Sequence, residues 1–181
     1  MMASSCRFST PVALFIYDRP DYTARVFERI AGVEPRRLIV VADGPSDESE
    51  RERIEATRAV VSDITWDCEV TRLYADENLG IKKRFVTGLN AVFDAVDRAI
   101  ILEDDTVPDP SFFRFCETLL DQYKNDQRVM EITGRNQMGT WRDNKQDYHF
   151  SYYGGIWGWA TWSDCWDEYD PDISLWAAPV V

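Results

Sequence analysis

The chain has 181 residues, a net charge of -12, 45% hydrophobic residues and 29% charged residues. That length suits one domain with a real core, and the composition is that of a globular protein. The acidic balance excludes a nucleic-acid groove or an anionic membrane surface, both of which need basic patches. A phosphorylated ligand remains compatible, because a metal ion can bring local positive charge.

The four cysteines, Cys6, Cys68, Cys116 and Cys165, form no C-x-x-C pair, and His149 is the single histidine. A zinc site is therefore not expected, and the cysteines read as buried thiols. His149 reads as a loop or packing residue. Residues 1–10 lack an apolar run of signal-peptide length, and no stretch reaches the ~18 apolar residues of a membrane span. A cytoplasmic protein with no integral membrane segment is the expectation.

Val12 to Tyr17 is a continuous apolar run, as in a strand buried on both faces. Asp21 is placed to cap a helix whose Tyr22, Val26, Phe27 and Ile30 share one face, with Gly32 ending it. Leu38 to Ala42 is a second buried strand, followed by the turn-like Asp43-Gly44-Pro45-Ser46. The charged stretch from Asp47 to Arg58 predicts an exposed helix with a thin apolar face through Ile54 and Val61. Glu69 to Tyr74 is a third strand. Ile81, Phe85, Leu89, Val92, Phe93 and Val96 form a helical stripe.

A fourth strand, Ala99 to Leu102, runs into Glu103-Asp104-Asp105. Asp109-Pro110 predicts an N-cap and a first-turn proline. The helix after it packs through Phe112, Cys116, Leu119, Leu120 and Tyr123. Val129 to Thr133 is a fifth strand. Residues 135–150 read as a long polar loop, and Ser151 to Trp166 is dense in Tyr, Trp and Gly. Alternating strands and helices predict an α/β fold with an open, mostly parallel, Rossmann-like sheet covered on both faces. Ligands of such sheets bind beyond the carboxyl ends of the strands. That rule selects Asp18-Arg19, Asp43-Gly44 and Glu103-Asp104-Asp105.

Three consecutive carboxylates repel one another unless a cation offsets them. One reading is a solvated loop leading to the Asp109 cap. The other is a Mg²⁺ or Mn²⁺ site, since these ions take one or two carboxylates plus phosphate oxygens. The tryptophans have two readings as well, sugar-stacking platforms or core.

Ile100-Ile101-Leu102-Glu103-Asp104-Asp105 followed by Pro108-Asp109-Pro110-Ser111-Phe112-Phe113 resembles the EDD motif of GT-A-fold glycosyltransferases. The likeness is to family-2-like bacterial sugar transferases and EDD-bearing N-acetylglucosaminyltransferases. Pro11 to Pro20, Val41-Ala42-Asp43-Gly44, Glu77-Asn78-Leu79-Gly80-Ile81 and the Tyr153 to Trp162 segment resemble the same enzymes in the same order. The ordered set, spanning about residues 10–176, is more specific than EDD alone.

The resemblance implies a single GT-A-like domain. Residues 1–10 would be a flexible N-terminus, 11–133 a nucleotide-sugar-binding half, and 134–181 the start of an incomplete acceptor-side half. It implies Asp105, with Asp104, as ligand to Mn²⁺ or Mg²⁺, and Glu103 and Asp104 near the ribose or metal-bound water. Asp43 would accept from the base, which favours a UDP-sugar. Arg19, Asn78, Gly80 and Lys82 would meet the diphosphate. Trp157 and Trp159 would face a saccharide or other hydroxyl acceptor. An inverting transfer also needs a general base. The family's later acidic motif has no counterpart here, which leaves Asp164, Asp167, Glu168, Asp170 and Asp172 as substitutes, Asp164 and Asp167 foremost. The expectation is a chain that binds donor without efficient transfer, and the alternative is a non-catalytic nucleotide-sugar-binding remnant. A nucleotidylyltransferase ranks lower, because Asp18-Arg19-Pro20-Asp21 lacks the glycine-rich loop of those enzymes. A metal-dependent nuclease is disfavoured by the charge.

Overall fold

The structure is a computed structural model that describes residues 8–135, 139 and 147–174. Among these, six strands form one sheet: β1 (Val12–Ile16), β2 (Arg37–Ala42), β3 (Glu69–Tyr74), β4 (Arg98–Glu103), β5 (Ile132–Thr133) and β6 (Trp159–Trp162). Five α-helices pack on it: α1 (Pro20–Ala31), α2 (Arg51–Val60), α3 (Ile81–Ala95), α4 (Pro110–Tyr123) and α5 (Ser163–Asp167). The strand order is β3-β2-β1-β4-β6-β5. The four strands from β3 to β4 are parallel, and β6 runs antiparallel between β4 and β5. The α/β class and the mostly parallel sheet are thus as expected.

Alternate strand residues feed two cores, one on each face, as the period-2 geometry of a strand requires. Val12, Leu14, Ile16, Leu38, Val40, Ile100 and Leu102 pack against Val26 and Ile30 of α1 and Phe113, Cys116 and Leu120 of α4. Ala13, Phe15, Ile39, Val41 and Ile101 pack against Leu89 and Val92 of α3 and against Trp166 of α5. Burial on both faces explains why β1, β2 and β4 read as unbroken apolar runs.

Several local expectations change. Helix α1 starts with Pro20 in its first turn and has no side-chain cap, so Asp21 lies inside the helix instead of capping it. Gly32 ends α1 with a right-handed φ of -64°, and the left-handed residue is Glu34, at 48°. Asp109 does cap α4, accepting from the Ser111 amide at 2.9 Å. The fifth strand is limited to Ile132–Thr133. The aromatic Trp159–Trp162 segment, whose tryptophans the sequence leaves open between sugar platform and core, is a fully buried strand. Part of the expected 135–150 loop lies outside the described residues. No helix among the described residues is long and apolar enough to cross a membrane.

Candidate functional site

Strand register determines which loops meet. Phe15 pairs with Glu103, Ile16 with Ala42, and Ala42 with Tyr74, so the carboxyl ends of β1, β2, β3 and β4 share one edge of the sheet. Tyr17-Asp18-Arg19, Asp43-Gly44, the 75–80 loop and Glu103-Asp104-Asp105 leave from that edge.

Asp104 is buried at 7% exposure. Its Oδ2 accepts from the Tyr17 backbone amide at 3.1 Å. Its Oδ1 lies 3.4 Å from Arg19 Nη1, and Asp105 Oδ2 lies 2.7 Å from that same nitrogen. Two carboxylates therefore converge on one cationic atom. The charge of Asp104 and the hydrogen bond to Asp105 raise the Arg19 pKa further. Burial pushes the Asp104 pKa up from its ordinary value, against the Tyr17 amide and Arg19, which pull it down. Half-buried Glu103 is raised as well, by burial first and then by the neighbouring charges of Asp105 and Asp104. Asp18 has its own counter-ion, Arg53, at 2.6 Å.

Asp43 does a local job. Its Oδ1 accepts from the amides of Gly44 and Leu79, both at 2.9 Å, and its Oδ2 from the Gly80 amide at 3.1 Å. Both oxygens are engaged within the chain, and the residue is 7% exposed. The carboxylate fixes the loop that launches α3, where Gly80 takes a φ of 77° open mainly to glycine. The Asn78 side-chain amide donates to the Gly44 carbonyl and to the Tyr17 hydroxyl, each at 3.0 Å. Tyr17 donates onward to Glu50 at 2.6 Å. Below the loop, Arg58 donates to the carbonyls of Asp43 and Ala75 at 3.0 and 2.8 Å, with its guanidinium over the Tyr74 ring. Arg84 turns inward to the Leu73 carbonyl, and burial lowers its pKa.

The remaining expected residues divide. Lys82, exposed in the first turn of α3, pairs with Asp172 at 3.2 Å. Trp157 is 53% exposed, with the Arg135 guanidinium 4.9 Å above its ring. It precedes β6, whose Trp159 pairs with Ile101, so Trp157 lies at the same edge as Glu103. Trp159 does not face an acceptor. It is 6% exposed and packs in the core beside Ala13, Phe15 and Ile101.

Asp164 also lies away from the acidic triplet. β6 runs away from the acidic triplet and Trp162 pairs with Arg98, so α5 begins at the opposite edge. Six strand residues put that edge roughly 16 Å from Glu103. There Asp164 lines a cavity of about 690 Å³ with Arg37, Arg98, Lys124 and Trp162. Asp167 ends the same short helix. The chain then returns along α3, with Trp166 bonded to Asn90 and Asp172 reaching Lys82. Asp172 is thus the late carboxylate that comes back toward the carboxyl edge of the sheet.

The sequence pattern passed over Tyr17, Glu50 and Arg58. Tyr17 reads as the last residue of an apolar strand, and its hydroxyl was the available signal. Arg58 sits in a charged helix where nothing distinguishes it.

Among the described residues no group of three or more His, Cys, Asp or Glu forms a ready metal cage. Asp104 and Asp105 nevertheless share one cation, and a substrate-completed Mg²⁺ or Mn²⁺ site needs only one or two carboxylates from the protein. The pair fits such an ion.

Neither a protein-family model nor a curated protein sequence matches the chain. Among solved structures, it is similar to the crystal structure of a "putative nucleotide-diphospho-sugar transferase" from Desulfovibrio desulfuricans G20, at 14% identity and a TM-score of 0.38. The match covers 65% of this chain and 55% of that one. The chain therefore spans little over half the length of that protein. A likeness at this level assigns no activity.

Proposed function

We propose that the strand-end cluster is the donor site of a glycosyltransferase that takes a nucleotide-diphospho-sugar. The observation that carries this reading is the convergence of Asp104 and Asp105 on one cationic atom at the carboxyl edge of a parallel sheet. Asp104 and Asp105 would hold Mn²⁺ or Mg²⁺. When bound, such an ion neutralises charge on the diphosphate as it leaves.

The chain's own groups supply the rest. The first amides of α3 have no partner inside the helix, and of the amides around its start Asp43 takes those of Leu79 and Gly80, which precede it. The amides of the first turn, with the helix dipole, favour an anion there. Asn78 ties that turn, through the Tyr17 hydroxyl, to the loop that carries Arg19, and its Oδ1 accepts from the Gly80 amide. Lys82 adds exposed positive charge. Asp43 serves the base indirectly in this reading, by fixing the loop. Trp157 offers its exposed face to the acceptor, an arrangement that suits the apolar face of a sugar ring.

Deprotonation of the acceptor hydroxyl is the weak step. Among the described residues, Asp164 stands at the far edge and Asp172 is paired with Lys82. The chain in this reading binds donor and transfers slowly.

The test is calorimetric titration with UDP and with GDP, each with and without Mn²⁺, on the wild type and on Asp105→Ala. Metal-dependent UDP binding that Asp105→Ala abolishes is expected. Binding that ignores both the metal and the substitution would falsify the reading.

A further inference from the structure

We infer that Arg19 is a resident counter-ion, which holds the place of the divalent cation in the unliganded chain and transfers to the diphosphate when metal and nucleotide arrive together. The inference rests on the donor-site reading above and adds an order of events to it.

Three observations carry it. First, a single nitrogen, Nη1, makes both contacts, at 2.7 Å to Asp105 and 3.4 Å to Asp104. A metal ion bound between those oxygens would stand where that nitrogen stands, so guanidinium and metal exclude each other. Second, both hydrogen bonds of the Arg19 guanidinium to described residues run through Nη1, which leaves Nε and Nη2 of the planar donor fork uncommitted among the described residues. That fork matches phosphate oxygens two at a time, which a carboxylate contact through one nitrogen does not use. Third, the latch is able to move. The Arg19 side chain is 51% exposed and that of Asp105 34%, whereas Asp104 is held at 10% by the Tyr17 amide. Asp18, the other carboxylate beside Arg19, is already paired with Arg53 at 2.6 Å and does not compete for it.

The consequence is a coupling. Free metal must displace Arg19 with nothing gained for the guanidinium, so metal alone binds weakly. A metal–nucleotide pair brings phosphate oxygens for Arg19 to move onto, so the exchange is compensated. Donor and metal thus favour each other's binding, and Arg19 suppresses occupancy by either alone.

The experiment measures Mn²⁺ alone by electron paramagnetic resonance, and UDP with Mn²⁺ by calorimetry, on the wild type, Arg19→Gln and Arg19→Lys. Removing a unit charge at this distance from an exposed pair should tighten binding of Mn²⁺ alone about five- to tenfold in Arg19→Gln. The same variant should weaken UDP binding in the presence of Mn²⁺. Arg19→Lys, which keeps the charge, should bind Mn²⁺ alone as weakly as the wild type. In the wild type, the Arg19 Nε–H nuclear magnetic resonance signal should shift when Mg²⁺ and UDP are added together and stay in place with Mg²⁺ alone. This readout needs no variant to fold. Arg19→Gln that binds Mn²⁺ no more tightly, or an Arg19 signal unmoved by Mg²⁺ and UDP, overturns the counter-ion role while leaving the donor site standing. A wild-type chain with no metal-dependent UDP binding overturns both.

Discussion

The Asn78 side-chain amide meets the Tyr17 hydroxyl at 3.0 Å, tying the loop after β3 to the loop after β1 across the intervening strand β2. Tyr17 also donates its hydroxyl to Glu50 and its backbone amide to Asp104. One residue therefore links the loop after β3 to the acidic pair, through its hydroxyl on one side and its backbone amide on the other. Tyr17→Phe keeps the amide contact and the ring but deletes both hydroxyl contacts. Stability should fall by roughly 1–2 kcal/mol, since one lost partner is a carboxylate, and UDP affinity should fall with it. Urea unfolding and calorimetry check the two effects. An unchanged unfolding midpoint would show that the bridge carries no energy.

Glu50 provides a pH signature. The Ser46 and Tyr17 hydroxyls and the Ser46 amide hold its pKa down to about 2. A folded-state pKa below the unfolded value of ~4.3 gives stabilisation that is complete above that value and is lost as pH falls toward the folded one. Unfolding free energy should therefore decline between pH ~4.3 and 2. Asp126, also held to about 2 by Arg128, acts in the same window. Glu103 and Asp104 act in the opposite sense, because burial raises them and their contribution is lost as pH rises. Comparison with Glu50→Gln isolates the residue: the variant should show a flatter acid limb. Superimposable limbs would contradict the assignment.

Gly44 is required by close approach. A Cβ on it would lie 2.6 Å from backbone C and N of Glu77 and 2.7 Å from the Asp76 carbonyl carbon. Those are main-chain atoms of the loop that carries Asn78, and they move only if the loop moves. Gly44→Ala should cost on the order of 1–3 kcal/mol, the usual range for overpacking, and should weaken UDP binding more than a distant substitution of equal cost. Gly88→Ala makes that comparison. Its Cβ would meet the Val41 and Phe15 side chains at 2.7 and 2.8 Å, in the core below the site. Equal UDP affinities in the two variants would separate the Asp76–Asn78 backbone from nucleotide binding.

The parts of this fold legible in the sequence are those with a one-dimensional signature. β1, β2 and β4 announce themselves because burial on both faces demands unbroken apolar runs, and the stripe of α3 because one face packs on the sheet. β6 escaped because Trp159-Ala160-Thr161-Trp162 has neither the length nor the β-branched composition of a core strand. Its burial depends on β4 and β5 arriving on either side. The position of the acidic triplet at the ligand edge followed from chain order alone. Its counter-ion did not, since Arg19 is 85 residues from Asp104 in sequence and meets it only through the β1–β4 register. Asp43 shows the same limit. A carboxylate after a strand is legible, but its use as a cap for Gly44, Leu79 and Gly80 requires the fold.

Trp157 and Trp159, two residues apart and alike in sequence, should respond oppositely to truncation. Trp159 is 6% exposed in the core against Ala13, Phe15 and Ile101, and its indole nitrogen has no hydrogen-bond partner among the described residues. Truncation to alanine there leaves a cavity between sheet and helix and should cost roughly 3–5 kcal/mol, a large fraction of the total for a domain of this size. Trp157 is 53% exposed and is held mainly by the Arg135 guanidinium over its ring. A cation–π contact at an exposed site contributes about 0.5–1 kcal/mol, so Trp157→Ala should unfold within about 1 kcal/mol of the wild type. If Trp157 faces the acceptor, that variant should retain UDP and Mn²⁺ affinity and lose affinity for a saccharide ligand. Thermal melts separate the two tryptophans by stability, and saccharide titration followed by indole fluorescence separates them by function. Equal destabilisation by the two substitutions would contradict the division between core and surface. A saccharide response that survives Trp157→Ala would remove that residue from the acceptor face.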